Sequence, residues 1–398
     1  MEKPKVFEPA QLGPVTLKNR IIKAATFEGM APQNVMTEAL IDYHRAHADG
    51  GVAMTTLAYC AVSEDGQGAP MEIVVNDRSA PGLAQFADAV HAAGAKASIQ
   101  LGHAGPVAAG TGHQGLAPSK VFSPNARKFT RPATEDDLAR IIGDFGSAAV
   151  RAADAGFDAV ELHFGHGYLP SSFLSPKLNK RTDRWGGSVE NRARLVREIA
   201  STVRGRLGTR IAILAKLNMD DGVPGGLWLD QSIQVAQLLE SDGTLDGLEL
   251  TGGSSFQNPM YLFRGDAPIA EMAAAFPKPM RAAFKLGAKR FLISYPFEEA
   301  YFLSFARQFR SAVKMPLILL GGINKLETVE KALDDGFQFV AMGRALLREQ
   351  DLVNRWQKGQ ADESLCVHCN KCMPTIYSGT HCVLVPGPER PGARLLNK

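Results

Sequence analysis

At 398 residues, with 45% hydrophobic and 21% charged positions, the chain has the make-up of a globular protein and the length of one large α/β barrel with insertions. A formal charge of +3 with no basic stripe argues against nucleic acid as a main partner. No run nears the ~18 apolar residues of a membrane span and residues 1–20 lack a signal-peptide core, so a cytoplasmic protein without membrane contact is expected.

In chain order, eight β-rich runs are expected at 21–26, 52–59, 96–101, 157–163, 210–217, 245–251, 316–321 and 337–342. Most are continuously apolar, as strands buried on both faces should be. Helical patterns follow at about 37–49, 81–94, 134–155, 188–207, 230–242, 296–314, 325–335 and 344–357. Thr134 and Asp230 are expected N-caps, and Gly94, Gly156 and Gly336 expected left-handed stops. Eight βα units without a second domain favour a (β/α)8 barrel over a doubly wound open sheet. The barrel is assigned to residues 1–359 and a short cysteine-rich extension to 360–398. The long interruptions, at 60–78, 102–133, 164–187, 218–229 and 252–294, all follow strands. In a barrel they rise from the face that carries the chemistry.

GTGHQG at 110–115 matches the dinucleotide fingerprint by letter, but it does not join a strand directly to a helix and reads as a loop glycine cluster. The strand ends LLGGIN (319–324) and MGRALL (342–347) point instead to a phosphate site. There Gly322 and Gly343 let backbone N–H groups approach an anion, and Arg344 adds a charge-assisted bond. Gln100, near the end of strand three, offers an amide to the edge of a heterocycle. Lys216, inside an apolar strand, needs an anionic partner: a bound ring system, or Asp220 or Asp221. At the end of strand four, ELHFGHGYL brings together His163, His166 and Tyr168. No third ligand stands nearby to complete a zinc site with the two histidines.

These residues resemble the old yellow enzyme family of flavin-dependent ene-reductases. The likeness is carried by VFEPAQLGPVTLKNRI (6–21), IQLGHAG (99–105), the 156–192 stretch with its H-x-x-H-G-Y, FLSP and GGS-x-ENR runs, LELTGG (248–253) and ILLGGI…FVAMGRALL. The resemblance implies a barrel with FMN at the strand carboxyl ends. Hydride would come from NADH or NADPH and pass to a small α,β-unsaturated carbonyl compound. Gln100 would then bond the flavin pyrimidine ring, Lys216 would face its N1/C2=O edge, and Gly322, Gly343 and Arg344 would surround the phosphate. Relatives often carry arginine where Lys216 stands, and Lys216 lacks that planar fork. Ala25, Thr26 and Phe27 would line the flavin, with Thr26 or Phe27 at its reactive edge. His163 and His166 would hold the carbonyl oxygen as N–H donors, and Tyr168 would protonate Cα.

Cys366, Cys369, Cys372 and Cys382 give the spacing C-x2-C-x2-C-x9-C, suited to zinc or an iron–sulfur cluster. The stretch is similar to the cluster-binding segment after the barrel in 2,4-dienoyl-CoA reductases, enoate reductases and trimethylamine dehydrogenase. That likeness supplies an alternative: a dehydrogenase or demethylase passing electrons from flavin to a cysteine-bound centre or a partner protein. The proline- and glycine-rich end of the chain is expected to be extended and to reach a neighbouring subunit in a homo-oligomer. The insertion at 252–294, with Phe256, Tyr261, Phe263 and Phe276, reads as a lid or an oligomer contact.

Overall fold

A computed structural model describes residues 4–391 apart from 110, 125, 275 and 276, so Phe276 lies outside the described residues. Eight parallel strands close on themselves: β1 (Ile21–Lys23), β2 (Met54–Ala61), β3 (Lys96–Gly102), β4 (Ala159–Phe164), β5 (Ala212–Asn218), β6 (Gly247–Thr251), β7 (Leu317–Leu320) and β8 (Phe339–Met342). Each pairs with its neighbours in sequence, and β8 and β2 both pair with β1, through Val340↔Ile21 and Ile22↔Met54. The fold is a (β/α)8 barrel.

The helices between the strands are α1 (Glu38–Asp49), α2 (Ala80–Ala92), α3 (Glu135–Asp154), α4 (Val189–Leu207), α5 (Leu229–Asp242), α6 (Leu303–Ala312), α7 (Leu326–Asp334) and, after β8, α8 (Arg344–Arg348). Thr134 caps α3 through a reciprocal capping box with Asp137. Gly94, Gly156 and Gly336 take positive φ where stops were expected. Asp230 is not a cap: α5 starts one residue earlier, behind Trp228, and Asp230 sits in its first turn. The long helix expected at 344–357 is two pieces, α8 and a second short helix at Leu352–Gln357. The helix expected from 296 begins only at Leu303. Within 252–294 the chain forms three helices, two short ones at Pro259–Phe263 and Ile269–Ala274 and a longer one at Lys278–Phe291.

One end of the barrel is shut. A hairpin of Ala10–Leu12 and Val15–Leu17 precedes β1, and its Leu12, Val15 and Leu17 pack with Ala212, Ile318 and Phe339 at the strands' amino ends. The opposite end carries the long loops. Among the described residues no helix is long and apolar enough to cross a membrane.

Candidate active site

β4 delivers His163 to the open face, buried to 3% exposure. The chain then turns sharply, with His166 at φ +62° and Gly167 at φ +79°. A non-glycine residue pays for a left-handed backbone unless neighbours hold it there. Asn218, the last residue of β5, does so by accepting the His166 backbone N–H at 3.0 Å, while the Ser255 N–H donates to the His166 carbonyl at 2.9 Å. Asn218 is itself fixed by donating to Asp221 Oδ1 and the Gly253 carbonyl. The imidazole Nε2 of His166 meets Thr251 Oγ1 at 2.9 Å.

The turn brings three rings together. The centroids of His163 and His166 lie 5.0 Å apart, and those of His163 and Tyr168 lie 4.4 Å apart. Tyr59, from β2, packs on Tyr168 with centroids 5.2 Å apart. Gly102 gives it room, because a Cβ there would fall 2.4 Å from the Tyr59 ring. Burial holds both imidazoles neutral, His166 down to about 3 and His163 well below its usual value, with Lys216 adding repulsion. Burial likewise raises the Tyr168 phenol above its ordinary range, so it keeps its proton. The site therefore offers two uncharged rings, each with one N–H, beside a protonated phenol.

Beneath these rings lies a buried ionic layer. Lys216 Nζ is 2.8 Å from Glu249 Oε1 and 3.1 Å from Glu161 Oε2, and Gln100 donates to the same Glu161 oxygen at 2.5 Å. Lys216 thus pairs with carboxylates from β4 and β6. The Asp220 or Asp221 partner considered from sequence is not formed. Asp220 accepts from the Tyr261 hydroxyl, and Asp221 accepts from Asn218 and the Leu227 N–H. Burial alone would lower Lys216, but the two carboxylates outweigh it and raise its pKa. Burial pushes the Glu249 carboxyl upward against the pull of Lys216. A second buried pair, Lys23 and Glu28 at 3.0 Å, sits at the end of β1, with His44 Nε2 3.2 Å from the same Glu28 oxygen.

The first strand ends at Lys23, so Ala25, Thr26 and Phe27 lie in the loop beyond it. Thr26 approaches the end of β8: a Cβ on Gly343 would lie 3.6 Å from its Cγ2. Gly322 follows β7 with φ +73° under the Tyr301 ring. Arg344 opens α8 and donates to the Arg264 carbonyl at 2.8 Å and to Asn370 of the cysteine-rich tail. That tail crosses the same face. Asn370 donates to the Asp266 carbonyl at 3.0 Å, and the Thr380 N–H donates to the Glu28 carbonyl at 2.7 Å.

Cys366, Cys369, Cys372 and Cys382 line one cavity of about 20 Å³ together with Arg344 and His368. Burial pushes the Cys372 thiol up to about 12. Among the described residues no three His, Cys, Asp or Glu side chains stand together as a metal-holding group.

A flavin fits the residues present. Among the described residues, His163 Nδ1 is enclosed yet has no hydrogen-bond partner, a costly state unless a bound group supplies one. Gln100 and Lys216 lie buried below, tied to Glu161 and Glu249, and Gly322, Gly343 and Arg344 flank the ends of β7 and β8. Sequence reasoning missed Glu161, Glu249, Tyr59, Asn218 and Thr251. An acidic residue within an apolar strand, as in AVELHF and GLELT, was the available signal for the first two.

A family model described as the NADH:flavin oxidoreductase / NADH oxidase family matches residues 5–244. The chain is 55% identical to a 4,4'-dithiodibutanoate disulfide reductase of Rhodococcus erythropolis over 96% of its own length and 95% of the relative's. It is 31% identical to a metal reductase of Desulforamulus reducens over 94% of its own length, but it spans about half (52%) of that relative. Among solved structures, an old yellow enzyme homologue from Zymomonas mobilis superposes with a TM-score of 0.73 at 24% identity, covering 92% of this chain and 96% of the other.

Proposed function

The chain belongs to the NADH:flavin oxidoreductase / NADH oxidase family, as an FMN-dependent NAD(P)H oxidoreductase of old yellow enzyme type, and from that premise we propose that it reduces small organic disulfides between His163, His166 and Tyr168. The overall reaction is RSSR + NAD(P)H + H⁺ → 2 RSH + NAD(P)⁺. The full-length likeness to the Rhodococcus disulfide reductase supports the substrate class. The observation that carries the chemistry is the pair of uncharged imidazoles 5.0 Å apart with a protonated phenol beside them.

Bound FMN supplies the ring that takes hydride from NAD(P)H and returns it to the acceptor. Gln100, Lys216, Ala25, Thr26, Phe27, Gly322, Gly343 and Arg344 would hold it. The chain's own residues handle charge and protons. As the S–S bond breaks, the departing sulfur gains negative charge, and N–H donors on His163 and His166 stabilise it where it develops. Tyr168 hands that sulfur a proton and regains one from solvent.

A second reading keeps the notion of an ene-reductase. Two imidazoles with centroids 5.0 Å apart also suit a single carbonyl oxygen that gains charge when hydride reaches Cβ, with Tyr168 protonating Cα. Anaerobic stopped-flow separates the two. Protein bleached by NAD(P)H is mixed with 4,4'-dithiodibutanoate or with 2-cyclohexenone. Faster return of the yellow colour with the disulfide supports the first reading, and return only with the enone supports the second. Return with neither overturns both.

The four tail cysteines are proposed as ligands of an iron–sulfur cluster, or of zinc, which the thiols would grip once deprotonated. A cluster there would give the alternative dehydrogenase its outlet. Iron and acid-labile sulfide measured in anaerobically purified protein test this, and the absence of iron, sulfide and zinc would sink it.

A further inference from the structure

The reading of His166 as a donor depends on which ring nitrogen carries its proton, and the structure contains a group that decides this. Thr251, last residue of β6, is fully buried, and among the described residues its hydroxyl has one hydrogen-bond partner, His166 Nε2 at 2.9 Å. A hydroxyl carries one proton and two lone pairs, and a buried O–H without an acceptor is costly. If His166 carried its proton on Nε2, Thr251 would accept there and its own hydrogen would have nowhere to go. If Thr251 donates, both groups are satisfied, and the imidazole proton must reside on Nδ1. Among the described residues Nδ1 has no protein hydrogen-bond partner, and the His166 side chain is only partly buried.

We propose that Thr251 is a positioning residue that fixes His166 as its Nδ1–H tautomer, so that the ring presents a donor, not an acceptor, to the substrate. The backbone hydrogen bond from His166 to Asn218 Oδ1 sets where the ring stands, and Thr251 sets what it offers. The same device serves a departing sulfur or a carbonyl oxygen, because both gain charge that only a donor can stabilise. The consequence for catalysis rests on the pocket assigned above; the tautomer does not.

The experiment is long-range ¹H–¹⁵N correlation of the full-length FMN-bound protein labelled at histidine nitrogens, with His166 identified by its loss in His166→Gln. A protonated Nδ1 and a bare Nε2 are expected in the wild type and in Thr251→Ser. In Thr251→Val, nearly the same shape without the hydroxyl, that pattern should shift toward Nε2–H or a mixture. Turnover of the acceptor should then fall by up to about 10²-fold, with Thr251→Ser restoring it. A wild-type His166 protonated on Nε2 would overturn the proposal, as would an unchanged pattern in Thr251→Val. Should Thr251→Val fail to fold, the wild-type and Thr251→Ser spectra still decide. The expected tautomers with unaltered turnover would uphold this inference and reject the pocket assignment.

Discussion

Lys216 and Glu249 are Cα partners across β5 and β6, and their side chains close a 2.8 Å ion pair inside the barrel. With Glu161 at 3.1 Å on the other side, one ammonium holds two buried carboxylates. Removing one partner of such a group strands buried charge, typically at a cost of about 3–5 kcal/mol. Lys216→Met should lose about that much stability in urea unfolding. Adding Glu249→Gln to the same chain should recover part of the loss. Equal stability of Lys216→Met and wild type would remove this account of the layer.

Glu72 gives stability a pH dependence of defined sign. Its carboxylate is buried, its Oε2 accepts the Gly68 N–H at 2.5 Å, and burial pushes its pKa up to about 8 from an ordinary 4.5. Between those values the folded state holds a proton that the unfolded chain has released. Its contribution is therefore present below about pH 4.5 and is lost as pH rises to about 8. Unfolding free energies across that window should slope downward, and Glu72→Gln should flatten the slope. A steeper slope in the variant would contradict this.

Tyr168→Phe separates the half-reactions. The phenyl ring keeps the packing against His163 and Tyr59 while losing the proton. General-acid steps are worth about 10²–10⁴ in rate. Acceptor reduction should fall within that range, and flavin reduction by NAD(P)H should hold within about threefold. Single-turnover absorbance of each half measures both.

Gly29→Ala should loosen the tail. Gly29 has φ +63°, and a Cβ there would fall 2.0 Å from the backbone oxygen of Ile376. Neither strain can be relieved by rotating a side chain. Limited proteolysis should cut the variant within the cysteine-rich segment much faster than wild type. The same digestion pattern in both would show that the contact does not anchor the tail.

The barrel was legible in the sequence because its signals are local. Continuous apolar runs mark strands buried on both faces, and Thr134 with Asp137 three residues on marks the start of α3. His163, His166 and Tyr168 were legible because one turn carries all three. What stayed hidden was decided by register between strands. Nothing along the chain says that Glu161 and Glu249 flank Lys216, or that Thr251 sits beside His166 Nε2 eighty-five positions away. The helix after β8 breaks where Glu349 turns to serve the tail, accepting from the Ser364 hydroxyl and the Leu365 N–H. That interruption comes from tertiary contact, and helical periodicity does not record it.

The tail's stitching has one further effect. Asn370 grips Arg264, Asp266 and Arg344, the Ser364 N–H holds the Asn324 carbonyl, and Thr380 holds Phe27 and Glu28. A single strap therefore buckles the segments that follow strands one, six, seven and eight. Cutting that strap would loosen all four segments in one event, Phe27 and Arg344 with them.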